Sequence, residues 1–414
     1  MSRIFTFNSL KTSCICRNCH REDSDANPKC NDHSAAGVVT ISALDSASSE
    51  SGFLTTDRGV PEVIMSSDFT LRRSLRAFGQ VQDQCPLGTR GWCLQERMLS
   101  PAILHFGAEQ IFWECRSYMG IPECDPRAGQ YQPGGPFLGI RAQPIRPTSE
   151  PPFRLWYAAV EAFSKRNLTF GKDKFPAMAG IATRFRELSN GKTTYLAGLW
   201  REDLESGIMW SAAYQHLAFA YGGKRKHIIS GCAALSRPSV LVAPSWSWAS
   251  VDGQVHFYRG DATSSRGTKP VWDFRIVDIN IPSGLDDLMA QQVIGSLAIK
   301  GLLAKVWYCP RTDEKGVPDS EKVGWISVSK DANLEKDRVQ GAMLDFNRCS
   351  PRECWAMLAF SANGKSDVGF LLLDRQSQTY FTRVGFCSYA NQHPSREGRE
   401  AIEARMKEMV ITLG

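Results

Sequence analysis

The sequence predicts an α+β protein, with an α/β segment first, then a helical region, then an antiparallel β-rich C-terminal part. Three observations lead there. Residues 90–115, RGWCLQERMLSPAILHFGAEQIFWEC, compress a helix, a proline stop and a hairpin into one block. Residues 153–188 carry apolar side chains at helical spacing. After Trp246 the pattern changes to period two, in short runs bounded by Gly, Asp or Asn.

Residues 1–37 are polar and cysteine-rich with little periodicity, so a poorly ordered segment is expected. Residues 38–115 follow, with a strand at 38–43, a Ser/Asp-rich loop and then the opening block. Trp92, Gln95 and Leu99 recur at helical spacing, Leu94 pairs with Met98 one turn on, and Glu96 and Arg97 fall between them. Ser100-Pro101 ends this helix, because the pyrrolidine ring cannot continue the ladder and restricts the residue before it. Strands are expected at 103–106 and 110–115, with Gly107 supplying a positive φ to the connection.

The Gly and Pro density of residues 116–152 marks a linker. In the helical region, residues 153–245, Trp156, Val160 and Phe163 share a face of a helix at 153–165. Ile181 and Phe185 lie one turn apart in a helix at 175–188, and a third helical region spans 196–220. The last part, residues 246–414, holds β-rich runs at 274–281, 295–307, 324–329, 341–346, 354–361, 369–374 and 380–386. An antiparallel sandwich or barrel-like sheet is expected, closed by a charged helix at 396–407 and a strand at 408–413.

With 414 residues, 43% hydrophobic and 22% charged, this is ordinary globular chemistry. The formal charge of +6, from 49 basic and 43 acidic residues, has no Lys/Arg block behind it, so no nucleic-acid partner is expected. No run approaches the roughly 18 apolar residues of a membrane span, and residues 1–16 lack a secretory core, so a cytoplasmic location is expected. The 13 cysteines are odd in number and scattered, unlike a disulfide framework. Cys14, Cys16, Cys19, His20, Cys30 and His33 cluster. Cys16-Arg17-Asn18-Cys19-His20 formally matches a c-type haem attachment string, and Cys16, Cys19, Cys30 and His33 can be written as zinc ligands. A chance remnant without metal is the first reading, and no cofactor is expected.

Glu96 leads the candidates for chemistry, since a carboxylate beside Arg97 and near Arg90 could stay ionised and bind a sugar hydroxyl or a cation. Its plainer reading is a helix carboxylate paired with a neighbouring arginine. Cys93 and His105 suggest a thiol and its base, against which stands a hydrogen-bonded structural histidine on a strand. Trp246 and Trp248 in Pro244-Ser245-Trp246-Ser247-Trp248 would project to one side of a strand, to stack on a ligand or, as the plainer reading, to anchor the two halves of the protein to each other. No P-loop, G-x-G-x-x-G, G-x-S-x-G or H-E-x-x-H stands in the sequence.

Arg90, Gly91, Trp92, Leu94, Gln95, Glu96, Arg97, Leu99, Ser100 and Pro101, then Leu104, His105, Phe106 and Gly107, then Trp113, Glu114 and Cys115, together resemble the motif of the fungal heterokaryon-incompatibility (HET) domain family. Further similarity runs through residues 38–54, Arg58, the stretch from Trp156 to Ala182, Tyr195 to Trp200, and Ala243 to Ser250. Neither the A-L-S-Y-x-W-G nor the W-I-D-x-L-C-I-x-Q-D string of the family is present, so a member without the N-terminal part of the domain is expected. The resemblance implies fungal non-self recognition (allorecognition), programmed cell death and an α/β fold distantly similar to Toll/interleukin-receptor (TIR) domains. It also implies protein partners, self-association among them. The expected role is contact with other proteins without enzymatic activity. Two alternatives stand beside it: a TIR-like effector that cleaves NAD using Glu96, and a zinc-dependent interaction module built on Cys16, Cys19, Cys30 and His33.

Overall fold

The computed structural model describes residues 39–44, 46, 62–64, 70–72, 76, 78–115, 121–122, 153–219, 225–231, 235–258, 271–281, 288–311, 323–330, 337–346, 350–362, 367–390 and 396–414. Of 62–64, 70–72, 83, 115, 121–122, 213–219, 225–231, 362, 367 and 389–390 it describes the backbone alone. The chain divides into two compact units. Residues 1–158, 166–168 and 183–190 belong to the first, and 159–165, 169–182 and 191–414 to the second.

In the first unit the elements are β1 (Thr40–Ala43), β2 (Glu62–Ile64), β3 (Thr70–Arg72), α1 (Phe78–Gln84), α2 (Gly91–Leu99), β4 (Ala102–Phe106), β5 (Ile111–Cys115) and β6 (Ile121–Pro122). A four-stranded sheet runs β1-β4-β5-β6, and β2 pairs with β3. β1 lies parallel to β4, Thr40 opposite Ile103, and such a pair needs a crossover; α1 and α2 lie in the chain between them. Leu44, Phe78, Val81, Cys85 and Phe112 form the core.

The expected helix, stop and hairpin are all present. In α2 the side chains turned inward are Leu94 and Met98, whereas Trp92 and Leu99 remain 39% and 43% exposed. Ser100 takes an extended conformation (φ −70°, ψ 129°), as the residue before a proline must. Gly107 does not have the expected positive φ. Four residues, 107–110, share the reversal, and Gly107 N–H donates to the Gln110 carbonyl at its base (3.1 Å), so no single residue takes the whole bend.

Two helices follow, α3 (Phe153–Ser164) and α4 (Pro176–Leu188), close to the expected bounds, and each contributes residues to both units. Trp156, Val160, Phe163, Ile181 and Phe185 are buried, as their spacing predicts. The third helical region is not found. Residues 195–219 instead form a hairpin of β7 (Tyr195–Leu196) and β8 (Leu199–Trp200), a 3-10 turn at Arg201–Asp203, the single turn α5 (Leu204–Gly207), β9 (Trp210–Ser211) and β10 (Ala213–Phe219), which pairs with β11 (Arg225–Gly231). The reason lies at Ala197 and Gly198, both in the left-handed region at φ 47° and 87°. A Cβ on Gly198 would stand 2.6 Å from Trp248 Nε1, so the tight turn is held by the indole packed on it.

The remaining strands are β12 (His256–Phe257), β13 (Val271–Trp272), β14 (Phe274–Asn280), β15 (Ser296–Cys309), β16 (Gly324–Ser327), β17 (Val339–Leu344), β18 (Arg352–Ala362), β19 (Asp367–Arg375), β20 (Tyr380–Ala390) and β21 (Lys407–Leu413), with α6 (Arg396–Glu403) before the last. β12 pairs with β9, and β13 to β21 form a nine-stranded, antiparallel-rich sheet. The pairings β15-β16, β16-β17, β17-β20, β20-β19, β19-β18 and β18-β15 close a six-stranded antiparallel barrel. Val306, Tyr308, Ile326, Leu344, Phe370 and Leu372 belong to its apolar core, together with Ile402 from α6. β15 changes environment midway. Leu297, Ile299, Gly301 and Leu303 are buried in the first half, and Ala304, Val306 and Tyr308, with the terminal Cys309, in the second, so the odd-numbered face becomes the outer face of the barrel at Lys305 and Trp307.

The segment Pro244 to Ser250 organises the second unit. Trp246 and Trp248 are buried, and Trp248 opens a 3-10 turn, Trp248–Ser250, rather than continuing a strand. Trp248 Nε1 donates to the Gly198 carbonyl (2.8 Å), and Ser247 Oγ donates to the Ala197 carbonyl (2.6 Å) while accepting from Ala249 N–H (3.1 Å). Trp210 Nε1 donates to the Trp246 carbonyl (3.0 Å). Buried Lys174 donates to the Ala249 and Val251 carbonyls (3.0 and 2.6 Å), and its ammonium pairs with Asp252 (2.7 Å). Ser245 Oγ donates to the Gly414 carbonyl and accepts from Arg383 N–H of β20.

Arg383 itself is buried. Its guanidinium donates to Asp345 and to the Trp210 carbonyl, and lies 3.3 Å from the centre of the Trp210 ring. Burial pulls its pKa down to about 10 against the opposing pull of Asp345. Removing one partner of such a pair leaves a buried charge unanswered. Arg383→Met is expected to destabilise the fold by about 3–5 kcal/mol in urea unfolding, and Arg383→Met with Asp345→Leu to recover most of that loss.

Candidate functional site

The candidate residues of the first unit meet on one face of the β4-β5 hairpin. Opposite residues there are Ile103 with Glu114 and His105 with Phe112, so His105 and Glu114 are diagonal neighbours. All four are buried. A carboxylate on that face requires a partner, because an isolated ionised group in an apolar interior is costly. It has two. Glu114 accepts from Arg97 Nε and Nη2 of α2 through both oxygens (2.9 and 3.0 Å), and Oε2 also stands 2.7 Å from His105 Nε2.

Phe78 of α1 closes this cluster. The Arg97 guanidinium lies 5.1 Å from its ring centre, His105 4.9 Å and Phe112 5.1 Å. A fork-on-fork arginine–carboxylate pair fixes both distance and orientation, so it sets how α2 lies on the hairpin. A second clasp holds the end of the helix. Ser100 Oγ donates to the Glu96 carbonyl (2.7 Å), which leaves Thr40 Oγ1 of β1 to donate to Ser100 Oγ (2.7 Å). At the other end Gly91 N–H donates to the Asn167 carbonyl (2.9 Å), and Arg90 bridges to Asn167.

The residues expected to carry chemistry are therefore divided. Arg97 pairs with Glu114 and not with its sequence neighbour Glu96. Glu96 is exposed on the outer side of α2, between Trp92 and Leu99, with Gln95 half-buried beside it. Leu94 is fully buried, Phe106 and Trp113 are partly covered, and Cys115 is described by its backbone in β5. His105 is the hydrogen-bonded strand histidine of the plainer reading. Trp246 and Trp248, 0% and 2% exposed, offer no face to a ligand and pack inside the second unit. Cys14, Cys16, Cys19, His20, Cys30 and His33 lie outside the described residues, and among the described residues no group of three or more His, Cys, Asp or Glu is placed to hold a metal ion.

Thr40, Ser42, Cys93, Glu96, Arg97 and His105 line a cleft of about 30 Å³. That is water-sized, whereas sites for drug-sized ligands run from about 300 Å³ upward. Burial, with Glu96 adding to it, raises the Cys93 thiol pKa against the pull of Arg90 and Arg166. A nucleophilic cysteine needs the opposite shift, because the thiolate is the reactive form. His105 Nε2, the atom a thiol–imidazole pair would use, faces Glu114.

No protein-family model matches the chain, and neither a curated protein nor a solved structure matches it.

In the sequence Glu114 stands only as a motif position, whereas the structure makes it the centre of the Arg97 and His105 contacts. Its signal was the period of two, which sets it on the same face as Phe112. At pH 7.5, iodoacetamide is expected to alkylate Cys93 more slowly than it alkylates free glutathione, followed by mass spectrometry of the peptide; faster labelling would show an activated thiol.

Proposed function

We propose that this chain is a heterokaryon-incompatibility-type protein of fungal non-self recognition and programmed cell death that works through protein contacts. The observation that carries this reading is the division of labour within the Arg90–Cys115 block. Arg97, His105 and Glu114 are directed at one another in the interior, while Trp92, Glu96 and Leu99 stand together on the outer face of α2. Groups that satisfy each other hold a helix in place, and an exposed Trp and Leu about two turns apart offer an apolar stripe to another protein. The resemblance to the family supplies the biological setting, and the stripe supplies the means.

A second reading, a TIR-like effector that cleaves NAD, is favoured by one observation: Glu96 lies at the cleft with Cys93, Arg97 and His105. Its small volume and the engagement of Arg97 and His105 with Glu114 weigh on the other side.

The test is expression in a fungal host with growth arrest as the readout. Trp92→Ala with Leu99→Ser is expected to remove growth arrest while leaving the thermal unfolding midpoint within a few degrees, and Glu96→Gln to leave arrest intact. Incubation of purified protein with NAD separates the two readings. No nicotinamide is expected, and release that disappears in Glu96→Gln would transfer the role to the enzyme.

A further inference from the structure

Along one edge of β15 the strand pairing is interrupted. In β15, Gly301 faces Phe274 of β14 on one edge and Met409 of β21 on the other, Leu303 faces Met357 and Lys407, and Trp307 faces Glu353 and Ser327. A strand residue with two partners has one on each edge, so β14 and β18 share one edge of β15, and β21 and β16 share the other. On that second edge β21 ends at Leu303 and β16 begins at Trp307. Residues 304–306 between them pair with no strand there among the described residues.

A groove of about 430 Å³ opens at this interruption, with Leu303, Met409, Trp307, Trp355, Arg405 and Lys407 among the residues that line it. Lys305 and Trp355 are opposite each other across β15 and β18, as are Trp307 and Glu353, so the two tryptophans stand diagonally on one outer face. Cations already sit beside their rings. Lys305 and Arg375 lie 6.0 and 5.6 Å from the Trp355 ring centre, and Lys330 lies 5.7 Å from that of Trp307. Among the described residues, this face sets Glu353, which pairs with Lys305 (2.8 Å), against Lys305, Lys330, Arg375, Arg405 and Lys407. The surplus charge is positive.

We infer that this gap is a docking groove for an extended, acidic segment of a partner protein, which adds to the open edge of β15 at residues 304–306. The partner's main chain completes the interrupted ladder, its alternate apolar side chains pack on Met409 and the flanks of Trp307 and Trp355, and its carboxylates meet Arg405 and Lys407. Two features favour a peptide over single-stranded nucleic acid. An open strand edge offers donors and acceptors at peptide spacing, and tryptophans flanked by cations present less free ring face for stacking bases. The inference concerns the second unit alone and goes beyond the proposed role of the Arg90–Cys115 block.

The experiment uses the full chain and fluorescence anisotropy of a labelled hexapeptide alternating Glu and Leu. Saturable binding is expected, weakened at least tenfold by Arg405→Glu with Lys407→Glu and by Trp355→Ala, and at least tenfold by N-methylation of alternate peptide amides. A hexapeptide alternating Lys and Leu is expected not to bind. Circular dichroism melts establish that each variant is folded; if the charge-reversed variant is not, Arg405→Gln with Lys407→Gln takes its place with the same expected direction. The inference is overturned if the Glu/Leu peptide does not bind at millimolar concentration, if N-methylation leaves its affinity unchanged, or if a hexamer of uridylate binds more tightly than the peptide.

Discussion

The second unit depends on one contact, the indole of Trp248 lying against the backbone of Gly198. The ring needs a surface without a Cβ, and the turn at Ala197-Gly198 needs a residue tolerant of a left-handed φ. Gly198 meets both demands, and its carbonyl takes the indole N–H. Around that contact the hydroxyls of the short segment Pro244 to Ser250 answer backbone groups of the segment and of its neighbours, while the Trp246 indole N–H is buried without a partner among the described residues. Ser247 serves Ala197 and Ala249, Ser250 donates back to the Ser247 carbonyl, and Ser245 reaches β20. Alternating Ser and Trp thus supply hydroxyls that donate to buried carbonyls and indoles that fill the apolar interior. Arg383 extends the same logic into the barrel, as a buried cation with a carboxylate, a carbonyl and an aromatic face as partners.

The β-rich part was legible as short apolar runs between turn residues: β15 alternates buried and more exposed residues within each half, while β18 and β19 are buried on both faces at 356–360 and 368–373. Each run placed from Phe274 onward coincides with a strand within a few residues. What alternation does not carry is the pairing order. That β15 serves as partner to four strands, β14, β16, β18 and β21, follows from its length of 14 residues and its change of buried face at Leu303-Ala304, and neither is a local signal. Residues 196–220 failed as a helix for a related reason. Between Leu196 and Ala212 the buried apolar residues follow no single helical period, and the decisive constraint lies about 50 residues away at Trp248.

The site was legible in its members and not in its partnerships. Residues 90–115 named Arg97, His105 and Glu114, and adjacency in sequence suggested that Arg97 answers Glu96. Helix geometry separates those two, since consecutive residues point about 100° apart, while the hairpin carries Glu114 under the helix. The result is a block whose charged groups position structure and whose apolar residues divide between inside and outside. Leu94 and Met98 bind α2 to the first unit, and Trp92 and Leu99 face away from its core. A buried pair of this kind adds orientation more than net stability, because desolvation offsets much of the Coulomb attraction. Orientation is what an interaction stripe on α2 requires.

A double-mutant cycle on Arg97 and Glu114, read by urea unfolding of the wild type, Arg97→Met, Glu114→Gln and the double variant, tests this account most directly. If the pair positions α2, the single changes are non-additive with a coupling of about 1–3 kcal/mol, and the double variant is little worse than either single one. Additive effects with coupling near zero would contradict it, because the two side chains would then be acting independently of each other.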